Sequence, residues 1–362
     1  MESALDQARL AIGLSNPNPH VGCVITDREG RVLGRGHTQH AGGPHAEVMA
    51  LADAAARGHS VQGATVWVTL EPCSHQGRTG PCCDALVAAG IKRVVASLED
   101  PNPRVAGSGF ERLRAAGVAV ETGPGAAESR ELNLGFFSRM IRRKPWVRLK
   151  IAASLDGQTA LANGASQWIT SEAARADGHA WRARADAVLT GIGTVLEDDP
   201  LLDVRLVPTQ RQPHLVLVDS RLQTPPGARL FQPQRQRLIY FAQPDAVRQA
   251  VLEARGAGLV PLPGAGAKVD LAAMLTDLAG REVNELHVEA GHKLNGSLLR
   301  EGLVDELLVY LAPKLLGPGR GMAEGFGPFT ALAQAIPMRF VETAMLGPDL
   351  RIVARLDGRE DF

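Results

Sequence analysis

The run Ala64-Thr65-Val66-Trp67-Val68-Thr69-Leu70 leads through Glu71-Pro72 to Cys73, and Pro81-Cys82-Cys83 opens the segment after it. Its β-branched and aromatic residues predict a strand, and the helix-forming residues from Cys82 to about Ala89 predict a helix beginning at the second Pro-Cys step. Upstream, a helix is expected from about His45 to Arg57. Chemically distinctive residues therefore gather at strand ends and helix starts. Working outward, a helix over Ala4–Leu14 is stopped by Asn16-Pro17-Asn18-Pro19, because proline excludes the helical region for the residue before it. Val21–Thr26 and Arg31–Gly36 flank Asp27-Arg28-Glu29-Gly30 as a β-hairpin. Arg93–Leu98 reads as a strand, and Phe110–Ala116 and Ala127–Met140 as helices. Strands alternating with helices predict a layered α/β sheet.

The basic stretch Arg139-Met140-Ile141-Arg142-Arg143-Lys144-Pro145 ends that pattern, and Trp146–Ile151 begins a new strand, so a domain boundary is expected near 145. By itself the basic run reads as a solvated helix end. Strands are expected at Ala187–Thr190, His214–Asp219, Arg237–Phe241, Glu285–Glu289 and Glu306–Ala312, with helices and Pro/Gly-rich loops between them. The second part is thus also α/β.

At 362 residues the chain is too long for one ordinary core. No apolar run approaches the ~18–20 residues of a membrane span, and the acidic start Met1-Glu2-Ser3-Ala4-Leu5-Asp6 lacks the basic and apolar features of a targeting peptide. A cytoplasmic location is the expectation. Basic and acidic residues number 39 each, and within 1–145 they number 16 and 14. That balance argues against nucleic-acid binding through a general basic field. All four cysteines, Cys23, Cys73, Cys82 and Cys83, lie in the first quarter, a distribution that points to metal binding or catalysis before disulfides.

His45, Cys73 and Cys82 make a three-ligand set for zinc that leaves a fourth position for water, as hydrolytic zinc sites do. Glu47, two residues past His45, does not stack on the same helix face and is placed to move protons without ligating. Two blander readings use the same residues: buried thiols beside a capping histidine, or a structural zinc site completed by Cys83, Cys23 or His75.

The strings Asn16-Pro17-Asn18-Pro19-His20-Val21-Gly22-Cys23-Val24, Pro44-His45-Ala46-Glu47-Val48 and Leu70 to Cys83 closely resemble the bifunctional riboflavin-biosynthesis deaminase/reductase family. Ser154-Leu155-Asp156-Gly157, Ser166-Gln167-Trp168-Ile169-Thr170, Glu197-Asp198-Asp199-Pro200 and Val288-Glu289-Ala290-Gly291 resemble its reductase half. The resemblance implies a cytidine-deaminase-like three-layer domain over 1–145 and a dihydrofolate-reductase-like domain over 146–362. It further implies zinc on His45, Cys73 and Cys82, Glu47 as general acid/base, and substrate contacts from Asn18, Arg78 and Thr79. Family members often carry histidine at the position of Thr38, whereas here the neighbours His37 and His40 are the histidines.

In the second part, Glu289 to Ser297 follows an expected strand and enters an expected helix, where backbone amides could cradle a diphosphate. Read bare, it is an ordinary strand-to-helix turn. Gly191-Ile192-Gly193 lacks the full G-x-G-x-x-G fingerprint, so a Rossmann domain is not indicated. The resemblance implies NADPH contacts from Ala152, Trp168, Thr194, Asp198, Ser220, Gly291, His292, Lys293, Leu294, Asn295, Gly296 and Ser297. It implies substrate contacts from Ser166, Arg182, Leu202, Arg205 and Glu289. Guanidinium forks suit a ribosyl phosphate, although Arg182 and Arg205 alone read as surface arginines and Trp168 as a core aromatic. Asp198 and Glu289 are the candidate proton donors to the reduced sugar.

The expected function is deamination of a phosphorylated diaminopyrimidine followed by NADPH reduction of its ribosyl chain, in a homo-oligomer. Its rivals are a deaminase for another base fused to a different reductase, and a zinc-stabilised interaction protein without catalysis.

Overall fold

The computed structural model describes residues 1–75, 80–103 and 105–362, which divide into two units, Met1–Arg143 and Lys144–Phe362. The first contains α1 (Glu2–Leu10), β1 (Gly22–Thr26), β2 (Val32–His37), α2 (Ala46–Ala56), β3 (Thr65–Val68), α3 (Cys82–Ala88), β4 (Arg93–Ala96), α4 (Ser108–Ala115), β5 (Ala119–Thr122), α5 (Ala126–Leu132) and α6 (Leu134–Phe137). Its sheet runs β2-β1-β3-β4-β5, antiparallel at β2-β1-β3 and parallel from β3 onward.

Side-chain parity makes this unit three-layered. Gly22 lies on one face, where a Cβ would come within 2.0 Å of the Ala4 carbonyl of α1. Gly34 and Gly36 lie on the other, since they pair with Ile25 and Cys23. A Cβ on either would come within 2.2–2.4 Å of the α2 backbone at Ala50. Ala46, Ala50 and Ala54, spaced four apart, form the matching small-residue stripe and are fully buried. These glycines let helices lie directly on both faces.

Two local expectations fail here. The helix expected over Ala127–Met140 is broken at Asn133 (φ −122°) and ends in a π-turn at Ser138–Arg142. Asn133 is buried and grips another segment: its Oδ1 accepts from the His20 amide at 2.7 Å and its Nδ2 donates to the His20 carbonyl at 3.0 Å. Strand β5 was not expected, because its four residues are mostly exposed and lack an apolar signature.

The second unit contains β6 (Trp146–Ser154), β7 (Gln158–Leu161), α7 (Glu172–Arg184), β8 (Ala187–Gly191), α8 (Ile192–Asp198), β9 (His214–Val218), β10 (Arg237–Phe241), α9 (Ala246–Glu253), β11 (Gly258–Pro261), α10 (Leu271–Gly280), β12 (Glu285–Val288), α11 (His292–Arg300), β13 (Glu306–Ala312), β14 (Gly319–Gly321), β15 (Met338–Leu346) and β16 (Asp349–Leu356). Its nine-stranded sheet runs β11-β10-β9-β8-β12-β6-β13-β16-β15, and β14 pairs with β7 as a separate ribbon. All pairings are parallel until β16, which runs antiparallel to β13 and to β15. Alternate residues feed two cores: Leu189, Val216 and Tyr240 pack with α10, while Val188, Leu217 and Ile239 pack with Leu252 of α9. Trp146–Ser154 carries Arg148 amid this apolar sheet. Its guanidinium is buried, and it is matched by Glu285 at 2.9 Å and Glu306 at 2.5 Å.

Candidate active sites

His45 caps α2 in extended backbone (φ −79°, ψ 170°). Its Nδ1 lies 3.5 Å from the Cys73 Sγ and 3.4 Å from the Cys82 Sγ. Cys73 is held by the start of α3: the Cys82 amide donates to its Sγ at 3.4 Å and the Cys83 amide to its carbonyl at 3.2 Å. The three ligand atoms lie within 4.8 Å of one another. A tetrahedral zinc with ordinary Zn–N and Zn–S bonds requires N···S separations of about 3.6 Å. The donor set and its spacing fit that ion. Without metal, the Cys82 thiol donates to Cys73, which holds the Cys73 pKa down at about 4 and pushes Cys82 upward.

Cys83 points elsewhere. Its thiol donates to the Pro72 and Gly109 carbonyls at 3.2 and 3.4 Å, and burial raises its pKa to about 12. Cys23 is fully buried in β1, and burial pushes its thiol well above the usual range. Glu47 is 3% exposed on the first turn of α2, with the Cys82 thiol as hydrogen-bond partner. Burial, aided by the Cys73 charge, raises its pKa to about 7. A carboxyl poised there exchanges protons readily near neutral pH.

Asn18 sits in a loop fixed by buried Ser15, whose Oγ lies 2.9 Å from the His20 Nδ1 and donates to the Asn18 carbonyl at 3.2 Å. Thr38 is buried and donates to the Val21 carbonyl at 3.4 Å, His37 is half-buried and His40 is exposed. Arg78 and Thr79 lie outside the described residues.

In the second unit a cleft of about 1580 Å³ opens beside β6, β8, β9 and β12, in the manner of ligand crevices at the carboxyl ends of parallel strands. Ala152, Ser166, Trp168, Arg182, Thr194, Asp198, Leu202, Arg205, Ser220, Glu289, Gly291–Asn295 and Ser297 all line it. Gly296 is not among the lining residues: it faces the Glu324 backbone, where a Cβ would come within 1.7 Å of the carbonyl oxygen. Trp168 is exposed rather than a core aromatic, with the Arg175 guanidinium 4.5 Å from its ring. Among the described residues no side chain caps α11, and its first residues His292 and Lys293 line the cleft, which leaves their amides open to an anion. The buried Asn295 Oδ1 in the same wall has no hydrogen-bond partner. A phosphate-bearing dinucleotide fits that wall.

Arg182 is not the surface arginine its sequence context allowed. It is 8% exposed and bidentate to Glu289, at 2.7 and 2.9 Å. Burial opposes ionisation of Glu289, but Arg182, His287 and Lys150 outweigh it and hold the carboxyl well below the usual range. Glu289 is therefore a poor proton donor. Asp198, raised by burial and by Glu197, is the more readily protonated of the two carboxyls.

The residue pattern of residues 1–98 matches the cytidine and deoxycytidylate deaminase zinc-binding region, and that of 145–352 matches the RibD C-terminal domain. Over 97% of its length the chain is 45% identical to riboflavin biosynthesis protein RibD of Escherichia coli, of which it covers 96%. The chain belongs to the RibD family. It is 40% identical to the Aquifex aeolicus RibD, again over 97% of this chain and 96% of the relative. RibD of Acinetobacter baumannii superposes with a TM-score of 0.89 at 38% identity, covering 98% of this chain and 97% of that one. A Thermotoga maritima structure described as a diaminohydroxyphosphoribosylaminopyrimidine deaminase/5-amino-6-(5-phosphoribosylamino)uracil reductase gives 0.85 at 30% identity, with the same coverage.

As a RibD protein, the chain is a zinc-dependent deaminase and an NADPH-dependent reductase of riboflavin biosynthesis. No helix among its described residues is long and apolar enough to cross a membrane. Two residues escaped the sequence reading. Glu71 accepts four backbone amides, those of Asp100, Gly107, Gly109 and Phe110, and so shapes the loop next to Cys73. Lys150 lines the cleft with its Nζ 3.9 Å from Glu289, and burial lowers its pKa. The available signal was Arg148 and Lys150 at alternate positions of an otherwise apolar strand, which puts two cations on one buried face.

Proposed function

We propose that the first unit deaminates 2,5-diamino-6-(ribosylamino)pyrimidin-4-one 5′-phosphate and that the second reduces the ribosyl chain of the product to ribityl. The observation that carries this reading is the His45/Cys73/Cys82 triangle beside buried Glu47, on a chain that also holds the basic-lined cleft. A zinc ion held by those three side chains supplies a Lewis acid and an acidified water. Glu47 takes a proton from the attacking water and delivers it to the leaving nitrogen, so amine plus water becomes carbonyl plus ammonia. Asn18, Arg78 and Thr79 hold the substrate.

A bound NADPH would supply a hydride, delivered to the sugar carbon bonded to nitrogen, and the ring oxygen released there takes a proton. Lys150 is the partly buried ammonium 3.9 Å from Glu289 and donates to that oxygen. Glu289, kept ionised by Arg182, orients Lys150 and the sugar hydroxyls. Arg205 is half exposed and, among the described residues, its guanidinium pairs only at NH1 with Asp203, which leaves donors for the phosphate. Ser166 and Leu202 complete the substrate side. Ala152, Trp168, Thr194, Asp198, Ser220 and the 291–297 segment hold NADPH.

The same proposal places the enzyme in the cytoplasm as a homo-oligomer, in which the exposed edge strand β15, with Phe340 and Met345 outward, is the surface to be covered. Zinc content, ammonia release from the diaminopyrimidine and NADPH oxidation test the chemistry together. Zinc without ammonia release supports an interaction protein, and turnover of a different base supports another deaminase. Sedimentation reports the assembly.

A further inference from the structure

Residues 201–205 of the cleft wall form no helix or strand, yet Leu202 and Val204 are buried and Arg205 is exposed. Leu202 sits at φ +51°, a conformation that is costly for a branched side chain unless the surroundings impose it. Among the described residues, no backbone–backbone hydrogen bond reaches this strap. Side chains from elsewhere in the unit do that work instead. Arg235 donates to the Leu201 and Leu202 carbonyls, both at 2.5 Å. Arg182 donates to the Asp203 carbonyl. The Gln212 amide grips Val204 on both sides, accepting from its N–H at 2.7 Å and donating to its carbonyl at 2.9 Å. The His179 Nδ1 accepts from the Arg205 amide at 3.1 Å.

Five consecutive residues are thus held by four side chains, which replace a neighbouring strand. A flexible loop would need only to cover the cleft. Holding every backbone position fixes the direction in which Arg205 and Leu202 project, and fixed direction is what recognition of a bound anion requires.

We propose that Gln212, His179 and Arg235 are positioning residues of the reductase, which lock the 201–205 strap so that Arg205 meets the substrate phosphate without paying to order itself. The inference rests on the reading that Arg205 and Leu202 face substrate. Gln212 carries the cleanest test, because it is not among the residues lining the cleft and its amide makes both bonds to a single residue. His179 supports the same picture: burial, with Arg182 and Arg205 nearby, lowers its pKa to about 4, so the ring is neutral and its Nδ1 is free to accept.

The experiment is steady-state reduction of the deaminated substrate by the full chain, with Gln212→Ala, Gln212→Glu, Arg205→Ala and the double variant Gln212→Ala/Arg205→Ala. Freeing two buried backbone groups of Val204 should raise KM for the substrate roughly tenfold, with kcat and the KM for NADPH changed far less. Gln212→Glu keeps the acceptor but sets a carboxylate against the Val204 carbonyl, so it should raise KM as well, and it supplies the measurement if the alanine variant does not fold. If the strap acts through Arg205, Gln212→Ala should add little to Arg205→Ala in the double variant. An unchanged substrate KM in folded Gln212 variants while Arg205→Ala raises it overturns the positioning role alone. Equal rises in both KM values overturn it too, because they indicate general loosening. If Arg205→Ala itself leaves KM unchanged, the substrate-side reading falls and the inference falls with it.

Discussion

Replacing Glu47 by glutamine isolates the proton-carrying step of the first unit. The side chain is 3% exposed, so an isosteric amide occupies the same pocket without opening a cavity. Zinc should remain, because the ligand atoms belong to His45, Cys73 and Cys82. General acid–base catalysis is worth about 10²–10⁴-fold, or roughly 3–5 kcal/mol at 1.36 kcal/mol per decade. The surroundings place this case toward the upper end. The neighbouring Cys23 and Cys83 thiols are pushed upward by burial and cannot substitute, and His45, Cys73 and Cys82 are the ligand set. Ammonia release should therefore fall about 10³-fold or more, with one zinc still bound per chain. NADPH oxidation on pre-deaminated substrate should be unchanged, which serves as an internal control for folding. A zinc-replete Glu47→Gln enzyme that releases ammonia within tenfold of the parent refutes the assignment.

Three further outcomes are expected. Cys82→Ala should lose zinc and deamination together, whereas Cys83→Ala, whose thiol already serves Pro72 and Gly109, should keep both; metal analysis of the two variants decides, and the reverse pattern defeats the ligand assignment. Glu71→Gln converts one double acceptor into a donor, stranding two of the four amides, three of them buried and that of Gly107 partly so, at about 1–3 kcal/mol for each buried one. A clearly lower melting temperature of the first unit is expected, and an unchanged one rejects this account of the loop. In the second unit, Arg148 and Arg355 outweigh burial and hold Glu306 below its ordinary range, so its contribution is complete above the unfolded carboxyl value and fades as pH falls through the lower folded one. Thermal melts from pH 6 down to 2 should show Glu306→Gln destabilised most at the neutral end, with the gap to the parent closing toward acid. A gap that widens toward acid contradicts the sign.

The first site was legible because its chemistry needs rare residue types at element junctions. Histidine at a helix cap and cysteines at Pro-Cys steps announce themselves, and Cys83 is separated from Cys82 only by the direction in which the start of α3 turns each thiol. The cleft was quieter. Arg182 reads as a surface arginine until the fold places α7 against the end of β12, and Glu289 is invisible as its partner across 107 residues. Gln212 and Arg235, 8 and 33–34 residues from the groups they hold, are hidden for a different reason: they act on backbone groups and leave no pattern in the sequence. Asn133 fails in the opposite sense, since good helix formers surround a residue whose side chain is needed to hold His20. β15 and β16 were unmarked because β15 is mostly exposed and its apolar residues do not alternate with burial.

The charge balance of the whole chain conceals the most useful electrostatic fact about it. Net charge is zero, yet among the described residues lining the cleft ten are lysine or arginine and six are aspartate or glutamate. Not all of that excess is available. The Arg182 fork is spent on Glu289 and the Arg320 guanidinium meets Glu197 at 2.8 Å, so these two guanidiniums are already partnered. Among the described residues lining the cleft, Arg221, Arg229, Lys268 and Lys293 make no side-chain hydrogen bond or ion pair, and the exposed Arg205 pairs with Asp203 through NH1. A pyridine dinucleotide with a 2′-phosphate and a phosphorylated sugar both need cations, and they need them in different places. Pairing the Arg182 guanidinium with Glu289 while these cations stay open biases a phosphate away from Arg182 and toward the unpaired cations of the cleft.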